Sequence, residues 1–297
     1  MVCGLLLLDK PEGLSSNAAL QRVRRLSGAD KAGHVGSLDP LATGMLPICL
    51  GEATKVASEI VGGRKCYRFT VGLGAATSTG DREGEVVERA AVPGLDRAAL
   101  EAVLGRFRGR HSQVPPMYSA LKVQGQPLYR LARSGVEVER APREIEVSAL
   151  SLIAGEAASL ELEALCSKGT YVRVLAADIA RALGTCGHVT RLRRRYVEPF
   201  REESLVTLEA LEALARAGGR LPLLAADAPL GHLPRIELTQ PAATRLGHGE
   251  AVRVPGPPVA GRVRIYDERG RFMGLGEGDG AGRVQPRRLF VELPEIP

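Results

Sequence analysis

The sequence contains no tryptophan and few aromatic residues, and no apolar run approaches the roughly 20 residues that would cross a bilayer. The apolar run at residues 4–8 has no basic residue ahead of it and is followed at once by Asp9 and Lys10, which is not typical of a signal peptide. Hydrophobic residues make up 44% of the 297 residues, enough for a substantial core. We therefore expect a globular, cytoplasmic protein with no membrane association.

Paired cysteines are also lacking. The five cysteines are scattered and never form a C-x-x-C pair, so we expect neither a disulfide framework nor a structural zinc site. Lysine is scarce, with six residues against 34 arginines. The net charge of +6 suits a polyanionic partner, but genome composition alone can also produce an arginine bias, so charge leaves both explanations open. All six lysines precede residue 169, most of them beside Gly- and Pro-rich loops, where ammonium and guanidinium groups are not interchangeable.

Strand and helix patterns alternate irregularly along the chain, without an internal repeat. Alternating apolar residues predict a strand over residues 65–73, and Ser16 is expected to cap a helix that ends at Gly28, before a loop at residues 29–44. Further helices are predicted at residues 52–61, 96–107, 128–134, 174–183 and 207–217, the last being the final helix. This mixture favours an α+β fold with a large mixed, mainly antiparallel sheet flanked by helices.

A Gly-, Pro- and Ala-rich connection at residues 218–234 predicts two domains. The first covers residues 1–230. The second covers residues 235–297 and is expected to be a small β-rich domain, with strands at residues 262–266 and 289–293.

The segment Gly-His-Val-Gly-Ser-Leu-Asp-Pro-Leu-Ala-Thr-Gly at residues 33–44 presents one carboxylate, Asp39, in a loop stiffened by Pro40. A rigid carboxylate suits nucleophilic or general-base chemistry, although Asp-Pro in such a loop is more often a plain turn. Arg173, near the start of a predicted helix, can hold a carboxylate with two parallel hydrogen bonds and would lower its pKa. Tyr67 offers a ring for base stacking and a hydroxyl for proton transfer, or is an ordinary core tyrosine.

Six blocks in order resemble the TruB family, the tRNA pseudouridine-55 synthases, over nearly the whole chain. Residues 33–55 resemble the family signature, and residues 8–13 its opening Lys-Pro motif. The remaining blocks are a Pro-Pro-x-Tyr-Ser-Ala segment, a Tyr-x-Arg motif, the block after the following helix and the end of a PUA-like domain, at residues 113–122, 168–173, 188–194 and 282–289. The resemblance implies the pseudouridine synthase fold with a C-terminal PUA-like RNA-binding domain.

Residue roles follow from the resemblance, position by position. It implies that Asp39 is the catalytic aspartate, that Arg173 pairs with it, and that Tyr67 stacks on the target uracil and helps to remove the C5 proton. His34 would face the RNA and fill the space left by the flipped nucleotide. Leu192 would form an apolar wall of the pocket.

The resemblance also assigns supporting residues. Lys10 would support the loop that carries Tyr67. Arg191, Arg193 and Arg194 are typical of a solvated surface on their own, and of RNA contact once the resemblance is considered. Ser78 stands where an acidic residue is frequent in the family, which casts doubt on Asp81 as a site residue.

The implied reaction is isomerisation of one T-loop uridine of tRNA, at position 55, to pseudouridine, by base flipping, cleavage of the N-glycosidic bond, rotation of uracil and carbon–carbon rejoining. It needs no metal and no other cofactor. The implied partner is the tRNA T-arm, with no guide RNA, with action as a monomer and with an added tRNA-folding role. Three alternatives stay open: a noncatalytic RNA-binding protein, a guide-RNA-dependent relative, and a nucleoside or glycoside hydrolase, which usually needs a second carboxylate.

Overall fold

The computed structural model of the chain describes residues 2–94, 96–123, 125–201 and 205–290. Its strands are, in chain order, β1 (Gly4–Lys10), β2 (Ala32–His34), β3 (Thr43–Leu50), β4 (Lys65–Leu73), β5 (Ala75–Thr77), β6 (Val86–Arg89), β7 (Gly109–Gln113), β8 (Lys122–Val123), β9 (Gln126–Pro127), β10 (Arg143–Glu156), β11 (Ser159–Cys166), β12 (Gly187–Val197), β13 (Val206–Thr207), β14 (Arg235–Glu237), β15 (Val252–Arg253), β16 (Ala260–Tyr266), β17 (Phe272–Asp279) and β18 (Arg283–Leu289).

The helices lie between these strands along the chain. They are α1 (Ser16–Ser27), α2 (Ala57–Val61), α3 (Arg97–Gly105), α4 (Leu128–Arg133), α5 (Val172–Ala182), α6 (Leu208–Arg216) and α7 (Gln240–Gly247), with 3-10 turns at Gly51–Val56 and Ala228–Leu230. Among the described residues, no helix has the length and apolar character that crossing a membrane requires.

The first sheet has the strand order β13-β1-β3-β12-β4-β11-β10-β7, with β2 paired beside β3. Within the described ranges, β1 with β13 and β3 with β12 are its parallel pairs, and the other pairs are antiparallel. The predicted α+β fold with a mixed, mainly antiparallel sheet is confirmed. In the middle of this sheet, Arg194 of β12 lies opposite both Tyr67 of β4 and Gly44 of β3.

Helix α5 packs on β4 and β12 because both elements present apolar faces. The buried residues of β4 alternate along the strand, as the sequence predicts for residues 65–73. Leu175 and Ile179 lie one helical turn apart and join the same core cluster as Phe69 and Val189. Burying each such side chain stabilises the fold by about 1.5–3 kcal/mol. This packing fixes the first turn of α5 beside the ends of the strands.

Strand β1 is buried on both faces, which explains its unbroken leucine run. Leu6 and Leu8 join the cluster beneath α5, whereas Leu5 and Leu7 face the opposite side. There they meet a second sheet, with the order β14-β16-β17-β18-β15. Aromatic side chains of this sheet, including Phe272 packed edge-to-face on Phe290, complete the second cluster. The C-terminal sheet is thereby packed directly against the first.

Three local predictions for the first part of the chain are wrong in detail. The helix cap is Ser15, whose side chain accepts from the backbone N–H of Ala18, and Ser16 has another use. The predicted loop at residues 29–44 contains β2, which pairs with β3 through its backbone and so leaves no side-chain pattern. The predicted helix at residues 52–61 begins as the 3-10 turn Gly51–Val56.

Two predictions for the C-terminal part also need correction. Helix α7 follows α6, which was predicted to be the last helix. Strand β18 ends at Leu289, so the strand predicted at residues 289–293 is misplaced at its start, and residues 291–293 lie outside the described residues. Each element contains a proline, Pro241 in α7 and Pro286 in β18, and proline is depleted from the interiors of both helices and strands.

Candidate active site

A cavity of about 320 Å³ opens between the loop that joins β2 to β3, strands β4 and β12, and the first turn of α5. Five of the residues expected at the site line it together: Asp39, Tyr67, Arg173, Leu192 and Arg194. They come from four separate segments of the chain, so the fold brings them together. The catalytic groups expected from the sequence therefore share one concave site.

Arg173 is the fixed member of the central ion pair. Its Nε lies 2.9 Å from Asp39 Oδ2, while Nη1 donates to the carbonyl of Thr79 and Nη2 to that of Tyr118, both at 2.6 Å. Two backbone carbonyls thus set the plane of the guanidinium. The expected ion pair is present, but it rests on Nε alone and not on two parallel hydrogen bonds, since both terminal nitrogens serve the backbone.

Asp81, which the sequence pattern had placed in doubt, is a second carboxylate at the same arginine. Its Oδ2 lies 3.6 Å from Arg173 Nε, and its Oδ1 accepts from Thr79 Oγ1 at 2.6 Å and from the backbone N–H of Glu83 at 3.1 Å. A backbone bridge to Val189 of β12 places it there. The bridge from Asp81 to Val189 joins residues more than 100 positions apart. The sequence around Asp81 therefore gives no local signal for it beyond the Thr79–Asp81 spacing.

The Asp39 carboxyl has a raised pKa. Burial is the main cause, and the negative charge of Asp81 adds to it. The positive charge of Arg173 and its hydrogen bond act in the opposite direction without reversing the shift. The expectation that Arg173 would lower the pKa below its ordinary value is therefore wrong, because desolvation and a second carboxylate outweigh the guanidinium.

The buried ammonium of Lys10 holds the backbone just after Asp39. This side chain is 0% exposed, and its Nζ donates to the carbonyls of Pro11 at 2.8 Å, Leu14 at 2.7 Å and Pro40 at 3.3 Å. Burial lowers the pKa of Lys10 to about 8. Two expectations for Lys10 are wrong. Its fully enclosed side chain cannot contact RNA. The loop that it supports carries Asp39, whereas Tyr67 lies on strand β4 and not in a loop.

Ser16 holds the backbone just before Asp39. Its buried Oγ accepts from the backbone N–H of Leu38 at 2.7 Å and donates to the carbonyl of the same residue at 2.9 Å. Sequence reasoning missed this contact because it assigned Ser16 to helix capping. Lys10 and Ser16 together anchor both neighbours of Asp39, which limits the movement of its carboxylate.

Tyr67 and Leu192 form the apolar side of the cavity. Both are buried core residues, on β4 and β12 respectively. Burial raises the pKa of the Tyr67 phenol, and the adjacent Arg194 guanidinium opposes that rise. The ring of Tyr67 is thus a neutral, rigid surface at the edge of the cavity.

The arginine run on β12 does not form one continuous surface, because successive side chains of a strand point to opposite faces. Arg194 is 1% exposed; its Nε donates to the Met45 carbonyl at 2.7 Å and its Nη2 to the Gly36 carbonyl at 2.9 Å. Its expected contact with the RNA backbone is wrong, since the guanidinium is buried against protein carbonyls. Arg193 is half-buried in a two-point ion pair with Asp9, and Arg191 is exposed.

His34 lies on β2, opposite Ile48 of β3, and not in a loop. It is half-buried, and burial lowers its pKa, so the imidazole is neutral near pH 7. It does not line the cavity, and its contact with RNA stays a prediction. Across the described ranges, no group of three or more His, Cys, Asp or Glu side chains is placed to hold a metal ion.

Models of one protein family match along most of the chain. Residues 24–172 match the N-terminal domain of the TruB family pseudouridylate synthases. Residues 173–221 match the tRNA pseudouridylate synthase B C-terminal domain, and residues 234–290 match the C-terminal part of pseudouridine synthase II TruB.

Curated relatives match over almost their entire length. A protein of Stutzerimonas stutzeri is 50% identical over 293 residues, covering 97% of this chain and 96% of the relative. A protein of Aromatoleum aromaticum is 53% identical over 290 residues, covering 97% and 93%. Both are named tRNA pseudouridine synthase B.

Solved structures share the fold at low identity. A Cbf5-Nop10-Gar1 complex contains a chain with a TM-score of 0.71 and 24% identity, covering 97% of this chain and 84% of that one. An H/ACA RNP bound to a substrate RNA containing 2'-deoxyuridine gives 0.70 and 22%, covering 99% and 85%. Together with the family models and the relatives near 50% identity, these findings establish that the chain belongs to the TruB family of pseudouridylate synthases.

Proposed function

We propose that this pseudouridine-forming enzyme acts on one uridine in the T-loop of tRNA, at position 55, with Asp39 as its essential carboxylate. The observation that carries the proposal is the ion pair at the cavity: a half-exposed carboxylate held by a buried arginine whose other nitrogens are fixed by the backbone. The relatives named tRNA pseudouridine synthase B support tRNA as the substrate.

Substrate and product contain the same atoms, so the enzyme only exchanges bonds. The bond from N1 to C1′ breaks, the uracil turns, and a bond from C5 to C1′ forms; C5 loses a proton and N1 gains one. Asp39 assists either by attack on the sugar or by removing a proton from C2′, and both routes require the carboxylate to be ionised. The anchors at Leu38 and Pro40 keep this group aimed into the cavity.

The uridine must leave the RNA stack to enter the cavity, which costs a few kcal/mol. Tyr67 and Leu192 provide a rigid apolar wall on which the everted base can stack. The phenol of Tyr67 retains its proton near neutral pH, so its part in removing the C5 proton needs transient transfer of that proton elsewhere. We assign Tyr67 to base stacking first and to proton transfer second.

The RNA is bound outside the cavity. The exposed Arg191, the half-buried Arg193 and His34 are the candidates from the first domain, residues 1–230. Residues 235–297 are the proposed PUA-like domain, which would grip the acceptor-stem side of the tRNA by shape and charge. The enzyme would act in the cytoplasm as a monomer without a guide RNA, and would assist tRNA folding while it holds the T-arm.

A hydrolase using Asp39 is the second candidate, because Asp81 supplies a nearby carboxylate. Asp81, however, is buried and hydrogen-bonded to Thr79 and Glu83, so it cannot activate a water molecule on the far side of a sugar. The geometry therefore favours isomerisation.

The decisive experiment maps pseudouridine in total tRNA from cells with and without the gene. We expect the modification to disappear from the T-loop uridine alone and to return with the wild-type gene but not with Asp39→Asn. A T-loop that keeps its pseudouridine without the gene, or that recovers it with Asp39→Asn, would refute the proposal.

A further inference from the structure

Gln113, the last residue of β7, brackets the backbone of Tyr171 with its side-chain amide. Its Oε1 accepts from the backbone N–H of Tyr171 at 2.8 Å, and its Nε2 donates to the carbonyl of the same residue at 3.2 Å. The side chain is 4% exposed. Both backbone hydrogen-bonding groups of Tyr171 are thus held by one side chain 58 positions earlier in the chain.

Tyr171 stands where helix α5 begins. It is the N-cap residue, and its own side chain makes no capping hydrogen bond. A helix start leaves several backbone N–H groups without a partner inside the helix, so its direction depends on contacts from outside. The Tyr171 carbonyl also accepts the backbone N–H of Leu175 at 3.0 Å. Gln113 therefore fixes the peptide from which the first turn of α5 extends.

Arg173 is the second residue of that turn, and the segment that contains Gln113 also holds the far end of the arginine. Tyr118, five residues after Gln113, accepts from Arg173 Nη2 through its backbone carbonyl at 2.6 Å. One short segment therefore fixes Arg173 twice, at the backbone of its helix turn and at the tip of its guanidinium. The remaining nitrogen, Nε, faces Asp39.

We propose that Gln113 is a positioning residue for the isomerisation: it sets the first turn of α5 so that Arg173 Nε meets the Asp39 carboxylate. This inference rests on the proposed roles of Asp39 and Arg173. A purely structural role is the weaker explanation, because α5 is already secured by the packing of Leu175 and Ile179 against the sheet. Strand β7 is the edge strand of that sheet, and its other residues are largely exposed.

The test compares Gln113→Ala and Gln113→Glu with the wild-type enzyme in single-turnover reactions at saturating tRNA. Gln113→Ala removes both hydrogen bonds, and we expect the rate to fall about tenfold to a hundredfold while the Kd for tRNA is unchanged. Gln113→Glu keeps the acceptor for the Tyr171 N–H and loses the donor to the Tyr171 carbonyl. Its rate should therefore lie between those of the wild type and Gln113→Ala. The rate falls in acid as Asp39 is protonated, and this fall is the acid limb of the pH–rate profile. In Gln113→Ala the acid limb should move to higher pH, because a misplaced Arg173 lowers the pKa of Asp39 less.

A double-mutant cycle with Arg173→Ala shows whether Gln113 acts through the arginine. We expect Gln113→Ala to cost little further rate in the Arg173→Ala background. Gln21→Ala is the matched control, because within the described part of the chain the Gln21 amide bonds only to the Asn17 side chain on the same helix. It should react as the wild type. If Gln113→Ala does not fold by circular dichroism, the same cycle is run with Gln113→Glu.

A wild-type rate for Gln113→Ala would overturn the inference. An acid limb that does not move would overturn it too. So would a double variant in which the rate losses of Gln113→Ala and Arg173→Ala add in full. These outcomes differ from a failure of the proposed function, in which Arg173→Ala or Asp39→Asn would itself turn over normally.

Discussion

Arg173 and Asp39 form an uneven ion pair, in which the side chain of the arginine is 5% exposed and that of the aspartate 41%. The cation is enclosed and bound to two backbone carbonyls, whereas the carboxylate opens toward the cavity. This division suits a site in which the arginine orients and the aspartate reacts. It also means that the two residues respond differently to substitution.

Arg173→Ala should turn over much more slowly than the wild type, at a rate that single-turnover reactions still measure, and should be less stable. The buried carboxylate of Asp81 would be left without its cation, and breaking a buried pair in this way destabilises a protein by about 3–5 kcal/mol. Denaturant unfolding measures this loss. Arg173→Met combined with Asp81→Leu should recover most of the stability but none of the turnover. A double variant as unstable as Arg173→Ala would show that Asp81 is not the source of the loss.

The rate of isomerisation should fall in acid, because protonation removes the Asp39 charge. The pKa of Asp39 is raised, so the fall begins at a higher pH than an ordinary carboxyl would give. Asp81→Asn removes one cause of the rise, and its acid limb should therefore move to lower pH. Single-turnover rates measured from about pH 4 to about pH 7, where a carboxyl group with a raised pKa titrates, follow this acid limb. A limb that stays fixed or moves upward in Asp81→Asn would contradict the assignment.

Much of the site follows from the sequence, and the remainder depends on long-range contacts. Strand β4 was predicted with its observed bounds, because regular alternation is a local signal. The burial of Arg194 was also readable in principle: Leu192 and Arg194 share a face of β12, so a buried leucine implies a buried arginine two residues later. Counting the arginines as a run concealed that alternation.

The contacts of Ser16 and Asp81 could not be predicted in the same way. Ser16 reaches Leu38 across 22 residues, and Asp81 reaches Arg173 from a turn placed by β12. Neither produces a periodic pattern. The pKa of Asp39 was misjudged for a related reason, since the sequence reveals an opposing charge more readily than the depth of burial.

The scarcity of lysine in this arginine-rich chain makes Lys10 a sharp test. Its three carbonyl partners surround a compact ammonium at zero exposure, so a guanidinium should not fit. We expect Lys10→Arg to lower stability as much as Lys10→Met does, by about 1–3 kcal/mol. Lys31→Arg, at an exposed position, is the control and should be neutral. A fully stable Lys10→Arg protein would show that the cage is adaptable.

Arg191 and Arg194 should behave differently although they are three residues apart. Arg191→Ala should weaken tRNA binding and reduce the dependence of log K on log salt by about one unit, with the turnover of bound tRNA unchanged. Arg194→Ala should reduce turnover instead, because the carbonyls of Gly36 and Met45 lose their donor beneath the loop that carries Asp39. Binding measured at several salt concentrations separates the two. An unaltered salt slope in Arg191→Ala would remove that residue from the RNA interface.

The most direct measurement is the single-turnover rate of Asp39→Asn on tRNA, with its binding affinity measured in parallel. Asparagine keeps the size of the side chain and removes its charge, so we expect tRNA affinity within a few-fold of wild type, at most about 1 kcal/mol, and no detectable pseudouridine. Turnover at an appreciable rate by the purified variant would contradict the account, because no other carboxylate that lines the cavity among the described residues could take over its role.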